Sequence, residues 1–523
     1  MKPSLLTLLF TPLLTGIFCS PLQAIDYTGE TTSSSNTWQG MPWQFTDPEQ
    51  TGTPGIPKEG DSITRLYNNL AGNSWLYLDG NRSVDNLRIH STTGIRIQNR
   101  YTAPGSNIYG DNTLSVAGTF QVGNSSVYLR GQHLDTSTRF TLETAHLVIG
   151  TEGESALGAT NLLVSGKISE TVDYSRATVN VTGTTTFYDR SSFGVEGTPT
   201  ADLSISLGHV IFANLYDVVG NQAHRINLGT PATAFDYRVS MASLNSHAAR
   251  STRVEITGAA TLVLHGNADD PAYLPDEGVH RFYGAVLDGS AIDKTGSNVQ
   301  ALSRATGNTY TGGTIIRNGA LLVENSSGSG VGTGAVSIEA GGTLGGGGRI
   351  ELGSGQSVHV KSGGTIAPGI AVDGVRKLTL VTPGGTGSPT LVMDEGSTFT
   401  FTLGAGHTSD QIEFLNFRTG DLSLASGGIG INIAGTLQEG SYELFSFRSG
   451  DESSARIASG LDDVFFLNDA SGQFNVTFHY DDAAFGGTGV IAMNVAAIPE
   501  PDTALLLLGA GGIALLALRR RSA

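Results

Sequence analysis

The chain has 523 residues, and several domains would be expected at this length unless one repetitive architecture fills most of it. Hydrophobic residues make up 39% and recur in alternating patterns, which argues against disorder, while 71 glycines and only 15% charged residues favour short strands and turns over helices. The formal net charge of −17 makes nucleic acid a poor partner, because a negative surface repels phosphate backbones.

Residues 1–24 have the pattern of a secretory signal peptide. Lys2 precedes an apolar stretch from Leu5 to Phe18, and cleavage is expected after Ala24. A first transmembrane helix is the alternative, but the apolar run is short and contains Pro12. The only cysteine lies inside this segment, so the exported chain is expected to lack disulfides, metal–thiolate sites and cysteine catalysis.

Residues 25–300 contain short strand–turn–strand patterns without a clean period. In each pattern two alternating apolar positions, a polar pair and a glycine precede a second short alternation, and the glycine gives the backbone freedom at a corner. We interpret this region as irregular, β-rich coils of a solenoid with a cap at the amino end, with a separate domain as the alternative. Examples are Leu114 to Val122, Val179 to Phe187 and Val254 to Leu264.

The pattern becomes regular over residues 301–495, where two segments match at a displacement of 22 positions. A period near 22 is about one coil of a parallel β-solenoid, in which each strand bonds to its equivalents above and below. The same frame returns with insertions from Leu391 and from Leu422. The matched pairs are Val336 with Val358, Gly341 with Gly363, Thr343 with Thr365 and Leu344 with Ile366.

Residues 308–350 closely resemble the autotransporter-associated β-strand repeat found in passenger regions of bacterial surface proteins. The resemblance is carried by Tyr-Thr-Gly-Gly-Thr at Tyr310 to Thr314, by Gly319 to Val323 and by the closing Gly341 to Gly346. It implies an all-β fold, a right-handed parallel β-helix. Self-translocation is not expected, because the chain after the repeat ends in a helix-type apolar run rather than the strands of a membrane barrel.

Residues 496–523 combine a proline-flanked acid, an uncharged apolar run and a basic end. Thr503 to Leu518 would form a short transmembrane helix of about 24 Å, less than the hydrocarbon core of about 30 Å. This layout resembles the PEP-CTERM sorting signal, which implies recognition and cutting by an exosortase; a plain tail anchor is the alternative. The predicted residues are Pro499, Glu500 and Pro501 for the sorting motif, and Arg519, Arg520 and Arg521 for the cytoplasmic membrane stop.

No catalytic motif is recognised, and neither a cofactor nor a metal is expected. The chain has no Walker loop, no nucleophile elbow, and no pair of histidines at metal-binding spacing. Two groups remain open to binding. The acids Asp269, Asp270, Asp276 and Glu277 lack calcium-loop spacing and favour a solvated loop. The aromatics Trp38, Trp43, Trp75 and Tyr77 either stack on sugar rings, cover an open solenoid end or fill its core.

These observations predict a non-enzymatic, exported β-solenoid at the surface or in the extracellular matrix of a Gram-negative bacterium, with a structural or adhesive role. The expected partners are an exosortase-type enzyme and exopolysaccharide or envelope glycans, with transient inner-membrane insertion through residues 503–518. The alternative is a polysaccharide-binding or polysaccharide-degrading β-helix with the same tail, because solenoids also host lyases and hydrolases.

Overall fold

The computed structural model covers the chain between the predicted signal peptide and the predicted sorting triplet. Ala24 with the rest of residues 1–24, and the tail from Pro499 to Ala523, therefore lie outside the described residues. The described residues are 25–498 without 32–34, 48, 51–52, 69, 71–72, 92, 100–110, 124–125, 131–138, 151–159, 166, 170–171, 174–175, 189–190, 199–202, 213–223, 228–237, 247–253, 270–277, 371–373, 383–388, 417–420, 426–427, 449–463, 468–473 and 482–487.

Nearly all regular secondary structure among the described residues is β-strand, and the strands form long parallel sheets that are consistent with a β-solenoid. Sheet 1 has 19 strands: β1 (Asp26–Thr31), β3 (Trp43–Phe45), β4 (Ser62–Asn68), β6 (Arg82–Val84), β7 (Asn86–His90), β9 (Asn112–Gly123), β11 (Phe140–Ile149), β15 (Ala177–Phe187), β17 (Ser204–Ser206), β18 (His209–Phe212), β20 (Arg238–Met241), β21 (Ser243–Ser246), β23 (Thr261–Leu264), β26 (Ala291–Lys294), β28 (Thr314–Ile316), β30 (Val336–Ile338), β33 (Val358–Val360), β36 (Leu391–Met393) and β39 (Leu422–Leu424).

Sheets 2 and 3 contain strands from the earlier part of the chain. Sheet 2 has nine strands: β2 (Ser35–Thr37), β5 (Ser74–Leu78), β8 (Ile95–Asn99), β10 (Ser126–Arg130), β12 (Thr160–Ser165), β16 (Ser191–Glu196), β19 (His224–Asn227), β22 (Val254–Thr257) and β25 (Ala285–Val286). Sheet 3 pairs β13 (Lys167–Ser169) with β14 (Val172–Asp173).

Sheets 4 and 5 belong to the later part of the chain. Sheet 4 contains β24 (Val279–Phe282), β27 (Val299–Leu302), β29 (Gly319–Val323), β31 (Gly342–Gly345), β34 (Thr365–Ala367), β37 (Thr398–Thr402), β40 (Ile429–Ala434) and β42 (Phe465–Leu467). Sheet 5 contains β32 (Arg349–Glu351), β35 (Lys377–Val381), β38 (Gln411–Leu415), β41 (Gly440–Arg448), β43 (Phe474–Asp481) and β44 (Thr488–Ala497). A short 3₁₀ helix spans Ala405–His407.

Helices contribute little to the described chain. No helix among the described residues is long and apolar enough to cross a membrane.

Alternation along each strand builds the core. In β11, for example, Phe140, Leu142, Leu147 and Ile149 are fully buried, while the residues between them are largely turned away from the interior. Buried positions in neighbouring strands stack on one another, because the pairing is parallel; the register of β11 with β9 and β15 shifts once, between Thr144 and His146. Most buried apolar side chains form one hydrophobic cluster that extends from β1 to β44, and a second, small cluster contains Val279, Ala301, Ala320 and Leu322.

The 22-residue displacement read from the sequence is confirmed by the strand register. Val336 lies opposite Val358, and Leu344 lies opposite Ile366. The predicted return of the frame is confirmed as well, because Val358 pairs with Leu391, which pairs in turn with Leu422. Sheet 1 has strands on both sides of residue 300, although the proposed division of the chain at that point stays a prediction.

Antiparallel strands replace parallel ones at both ends of the described stack. At the amino end β3 pairs with β1 in antiparallel fashion. At the carboxyl end β44 is inserted between β41 and β43 and is antiparallel to both. Each reversal ends the regular coil-to-coil repetition, which limits the exposed edges that a parallel stack would otherwise leave.

Lys294 is an unusual interior residue. Its side chain is fully buried, and its ammonium group donates hydrogen bonds to the backbone oxygens of Gly296 and Asn318. Burial lowers the pKa of Lys294 to about 8, because the charged form is removed from water. Two carbonyl oxygens stabilise the ammonium without neutralising its charge.

Lys294 makes folding stability depend on pH. Below about pH 8 the amine is protonated in both the folded and the unfolded state. Between about pH 8 and 10.5 only the unfolded chain keeps the proton. The free energy of unfolding therefore rises by roughly 1.4 kcal/mol per pH unit in this window. We expect the unfolding free energy of the native protein, measured against Lys294→Met, to rise by roughly 3 kcal/mol over this window. Denaturant titrations of both proteins test this, and a difference that is independent of pH would contradict it.

The tyrosine of the Tyr-Thr-Gly-Gly-Thr segment is a core residue. Tyr310 is fully buried, and its hydroxyl lies 2.6 Å from Thr314 Oγ1. Burial raises the pKa of Tyr310, which keeps the hydroxyl neutral. Gly332 packs against this ring, since a Cβ there would lie 2.3 Å from Tyr310 O and 2.9 Å from Cδ2.

We expect Tyr310→Ala to destabilise the fold by roughly 3–5 kcal/mol, because it removes a large buried ring. Tyr310→Phe should cost only about 1 kcal/mol, since it removes one hydrogen bond. The half-buried Tyr283 offers a control, whose change to alanine should cost clearly less than Tyr310→Ala. Equal losses at both positions in thermal or denaturant unfolding would contradict the assigned role of Tyr310.

Candidate functional site

Two of the aromatic residues considered for sugar binding cover the amino end of the core. Trp38 is fully buried, and Trp43 is nearly so. Trp43 Nε1 donates a hydrogen bond to Trp38 O at 2.9 Å, and the two ring centroids lie 5.1 Å apart. Gly29 lies directly under the Trp43 ring, where a Cβ would clash at 2.5 Å. Trp38 and Trp43 therefore act in the end cap rather than as a platform for ligands.

The other two aromatics lie on the outer face of sheet 2. Trp75 and Tyr77 alternate with buried neighbours along β5, and both are half-buried. Their rings are parallel, with an interplanar angle of 5° and centroids 5.9 Å apart. The structure thus separates the four predicted aromatics into an end cap and an outward pair.

Strand register adds arginines to this outward pair. Trp75 lies opposite Arg96 of β8, which lies opposite Tyr128 of β10. The guanidinium carbon of Arg96 is 5.1 Å from the centroids of both rings, at cation–π distance. We name Trp75, Tyr77, Arg96, Tyr128 and Arg130 the aromatic–arginine row.

Arg130 is the last member of the row, and its side chain contacts aromatic rings, a glutamate and a serine. Its guanidinium carbon lies 5.3 Å from the ring centroids of Trp75 and Tyr128. Arg130 Nη2 donates to Glu196 Oε2 at 2.7 Å, and Arg130 Nε donates to Ser165 Oγ at 3.1 Å. Ser165 in turn donates to Glu196 at 2.6 Å. This network fixes the guanidinium in one position, since Arg130 is only 7% exposed.

The row offers two kinds of contact to a ligand. Aromatic faces suit the apolar face of a sugar ring, and arginine suits a carboxylate. Sequence reading found Trp75 and Tyr77 but missed the other three members, because they come from strands of an irregular region in which no period aligns them. Once the strand register is known, the row can be recognised in the sequence as outward-facing aromatic or arginine residues at matching positions of neighbouring strands.

A groove of about 480 Å³ lies on sheet 5 near the carboxyl end. Its lining combines Val375 with polar residues that include Arg376, Lys377, His407, Gln411 and Glu443. Gln411 Nε2 donates to Glu443 Oε2 at 3.3 Å, and Lys377 pairs with a neighbouring glutamate at 3.0 Å. Gln411 and Lys377 therefore both have acidic partners in the structure.

Metal-binding geometry is not found in the described part of the chain. No group of three or more histidine, cysteine, aspartate or glutamate residues that could hold a metal ion occurs there. Of the acidic cluster, Asp269 is described, whereas Asp270, Asp276 and Glu277 lie outside the described residues.

The tail leaves the folded body at the end of β44. Ala497, the last residue of that strand, donates its N–H to Glu439 Oε1 at 2.9 Å. Ile498 follows and is 50% exposed. The predicted triplet and the predicted arginine stop come next, and both lie outside the described residues.

Comparison with known proteins agrees with the sequence-based assignment of this tail. A family model described as the PEP-CTERM protein-sorting motif matches residues 497–521. The matched segment contains Pro499 to Pro501 and Arg519 to Arg521, whose individual roles stay predictions. A motif of this kind implies an exported, surface-sorted protein that an exosortase processes. No curated protein matches the chain.

Proposed function

We propose that this chain is a structural or adhesive β-solenoid of the Gram-negative cell surface or extracellular matrix, without enzymatic activity of its own. The observation that carries the proposal is the sorting motif that directly follows a long parallel-β body. A stack whose strands repeat in register gives a rigid, extended body, and no cysteine pairing is needed to hold it.

The solenoid is proposed to be a right-handed β-helix that carries an autotransporter-associated repeat at residues 308–350. Support comes from the 22-residue register of β28, β30 and β33 and from the buried Tyr310 in the Tyr-Thr-Gly-Gly-Thr segment. Gly341 and Gly363, which begin the matched Gly-Gly-Thr segments, both have positive φ values, of 86° and 77°. A repeated corner of this kind favours glycine at equivalent positions in successive coils.

Processing at the tail is tested by mass spectrometry of the mature carboxyl terminus, together with cell fractionation. We expect the surface form of the native protein to lack residues 503–518. Replacement of Glu500 by alanine should leave the tail in place and retain the protein in the inner-membrane fraction, whereas Asp502→Ala serves as a nearby acidic control. A surface form that keeps the entire tail would support a permanent anchor and contradict the proposal.

A second candidate function is polysaccharide binding at the aromatic–arginine row. The row places aromatic rings and the half-buried guanidinium of Arg96 on one outer face of a chain whose overall charge is strongly negative, while Arg130 is already paired with Glu196. An acidic polysaccharide fits this combination better than a neutral one, because its carboxylates are repelled elsewhere on the surface and attracted here.

Binding is tested with the purified body and a panel of acidic and neutral glycans. Trp75→Ala and Arg96→Ala should each weaken binding of an acidic glycan by about tenfold, a loss of about 1.4 kcal/mol. Arg65 and Tyr67 provide a matched control, since they form another outward cation–π pair at 4.8 Å on sheet 1, and their changes should leave binding intact. No binding to any glycan would contradict this second function, whereas shortening of the glycan would indicate a polysaccharide-degrading enzyme.

A further inference from the structure

The ladder of the last strand runs up to the first residue of the sorting motif. In β44, Val495 lies opposite Gly440 of β41, and Ala497 lies opposite Phe474 of β43. The family match begins at residue 497, so the folded strand and the matched segment share Ala497. Only Ile498 separates the end of the strand from Pro499.

The exit point of the tail is fixed by side chains as well as by the sheet. Glu439 Oε1 accepts a hydrogen bond from Ala497 N at 2.9 Å, and Glu439 O lies 2.8 Å from His407 Nε2. Gly440 leaves room for this histidine, because a Cβ there would lie 2.3 Å from the ring. These contacts hold the end of β44 against the starts of β41 and β43.

Chain length limits how far the triplet can reach from the body. An extended chain covers at most about 3.6 Å per residue, so Pro499 lies no farther than roughly 7 Å from Ala497, and Thr503 no farther than roughly 22 Å. The headgroup layer accounts for roughly 5–7 Å of that distance when the apolar run is inserted in a membrane. The carboxyl end of the body is therefore held close to the membrane surface before the tail is removed.

Recognition of an extended segment needs free backbone groups. Enzymes that take up extended peptides commonly pair with them as an added strand. Upstream of the triplet, the backbone of residues 495–497 is already bonded within sheet 5 and to Glu439. A membrane-bound processing enzyme thus meets a triplet that lies next to the folded body. The backbone groups just upstream of the triplet are already hydrogen-bonded.

We infer that the folded body controls the rate of its own release: the end of β44, residues 495–497, must detach from Glu439 and β43 before the exosortase accepts the triplet. The inference rests on the proposed processing by an exosortase and adds a conformational step before it. The strand end is suited to such opening, because terminal pairs of a sheet exchange faster than interior ones.

A pulse–chase experiment on the full-length precursor in its host cells tests this step. Insertion of six Gly-Ser residues between Ile498 and Pro499 should speed tail removal by about threefold to tenfold, because the triplet no longer needs the strand to open. The same insertion after Gly355, an open turn where no atom lies within 4 Å of an added Cβ, is the control and should leave the rate unchanged.

Glu439 provides a second, independent test. Glu439→Ala should speed processing by about threefold, because it removes the acceptor of the Ala497 N–H, whereas Glu439→Gln keeps an oxygen acceptor and should stay near the native rate. In the precursor with the spacer before Pro499, Glu439→Ala should have no additional effect. Protease resistance of each purified body verifies that the variants are folded.

The possible outcomes separate the inference from the function on which it rests. A spacer that leaves the rate unchanged or lowers it would overturn the gating step, and so would a full Glu439→Ala effect in the presence of the spacer. If no precursor, including the native one, loses its tail, then processing itself is refuted and the gating step falls with it.

Discussion

Backbone hydrogen bonding between successive coils is the interaction on which the other features of this protein depend. Because strands from β1 to β39 belong to one sheet, a shift of one residue in any coil would turn its apolar side chains from the core to the surface. The in-register pairing of Val336, Val358 and Leu391 keeps these side chains stacked inside. No native disulfide is expected to help, so ladders and core together must supply the stability.

The same register produces the two features on which the proposed functions rest. The aromatic–arginine row exists because Trp75, Arg96 and Tyr128 occupy equivalent positions in three successive strands. At the other end, the antiparallel insertion of β44 directs the chain out of the sheet at Ala497, which only Ile498 separates from the predicted sorting triplet. Ligand binding and release are thus both proposed to depend on where the ladder places a residue.

The sequence was sufficient for the features that rest on local or repeated patterns. The 22-residue displacement predicted the pairing of Leu344 with Ile366, and the tail pattern predicted a sorting motif that the family comparison confirms. The aromatic–arginine row could not be predicted, because its members are far apart in the chain and connected through coils of unequal length. Burial of Lys294 was equally hidden, since a charged residue in a strand ordinarily indicates an outward position.

Cysteine pairs placed across two coils test the register most directly. The only native cysteine lies in the predicted signal peptide, so a Ser337→Cys, His359→Cys variant would have a single possible bridge in its mature form. Opposed residues of neighbouring strands lie within the range a disulfide spans, so in-register pairing predicts rapid, complete oxidation. A Ser337→Cys, Lys361→Cys pair, whose second member follows β33 by one residue and lies roughly 8 Å from the first, should stay reduced. Preferential oxidation of this second pair would contradict in-register pairing of β30 with β33.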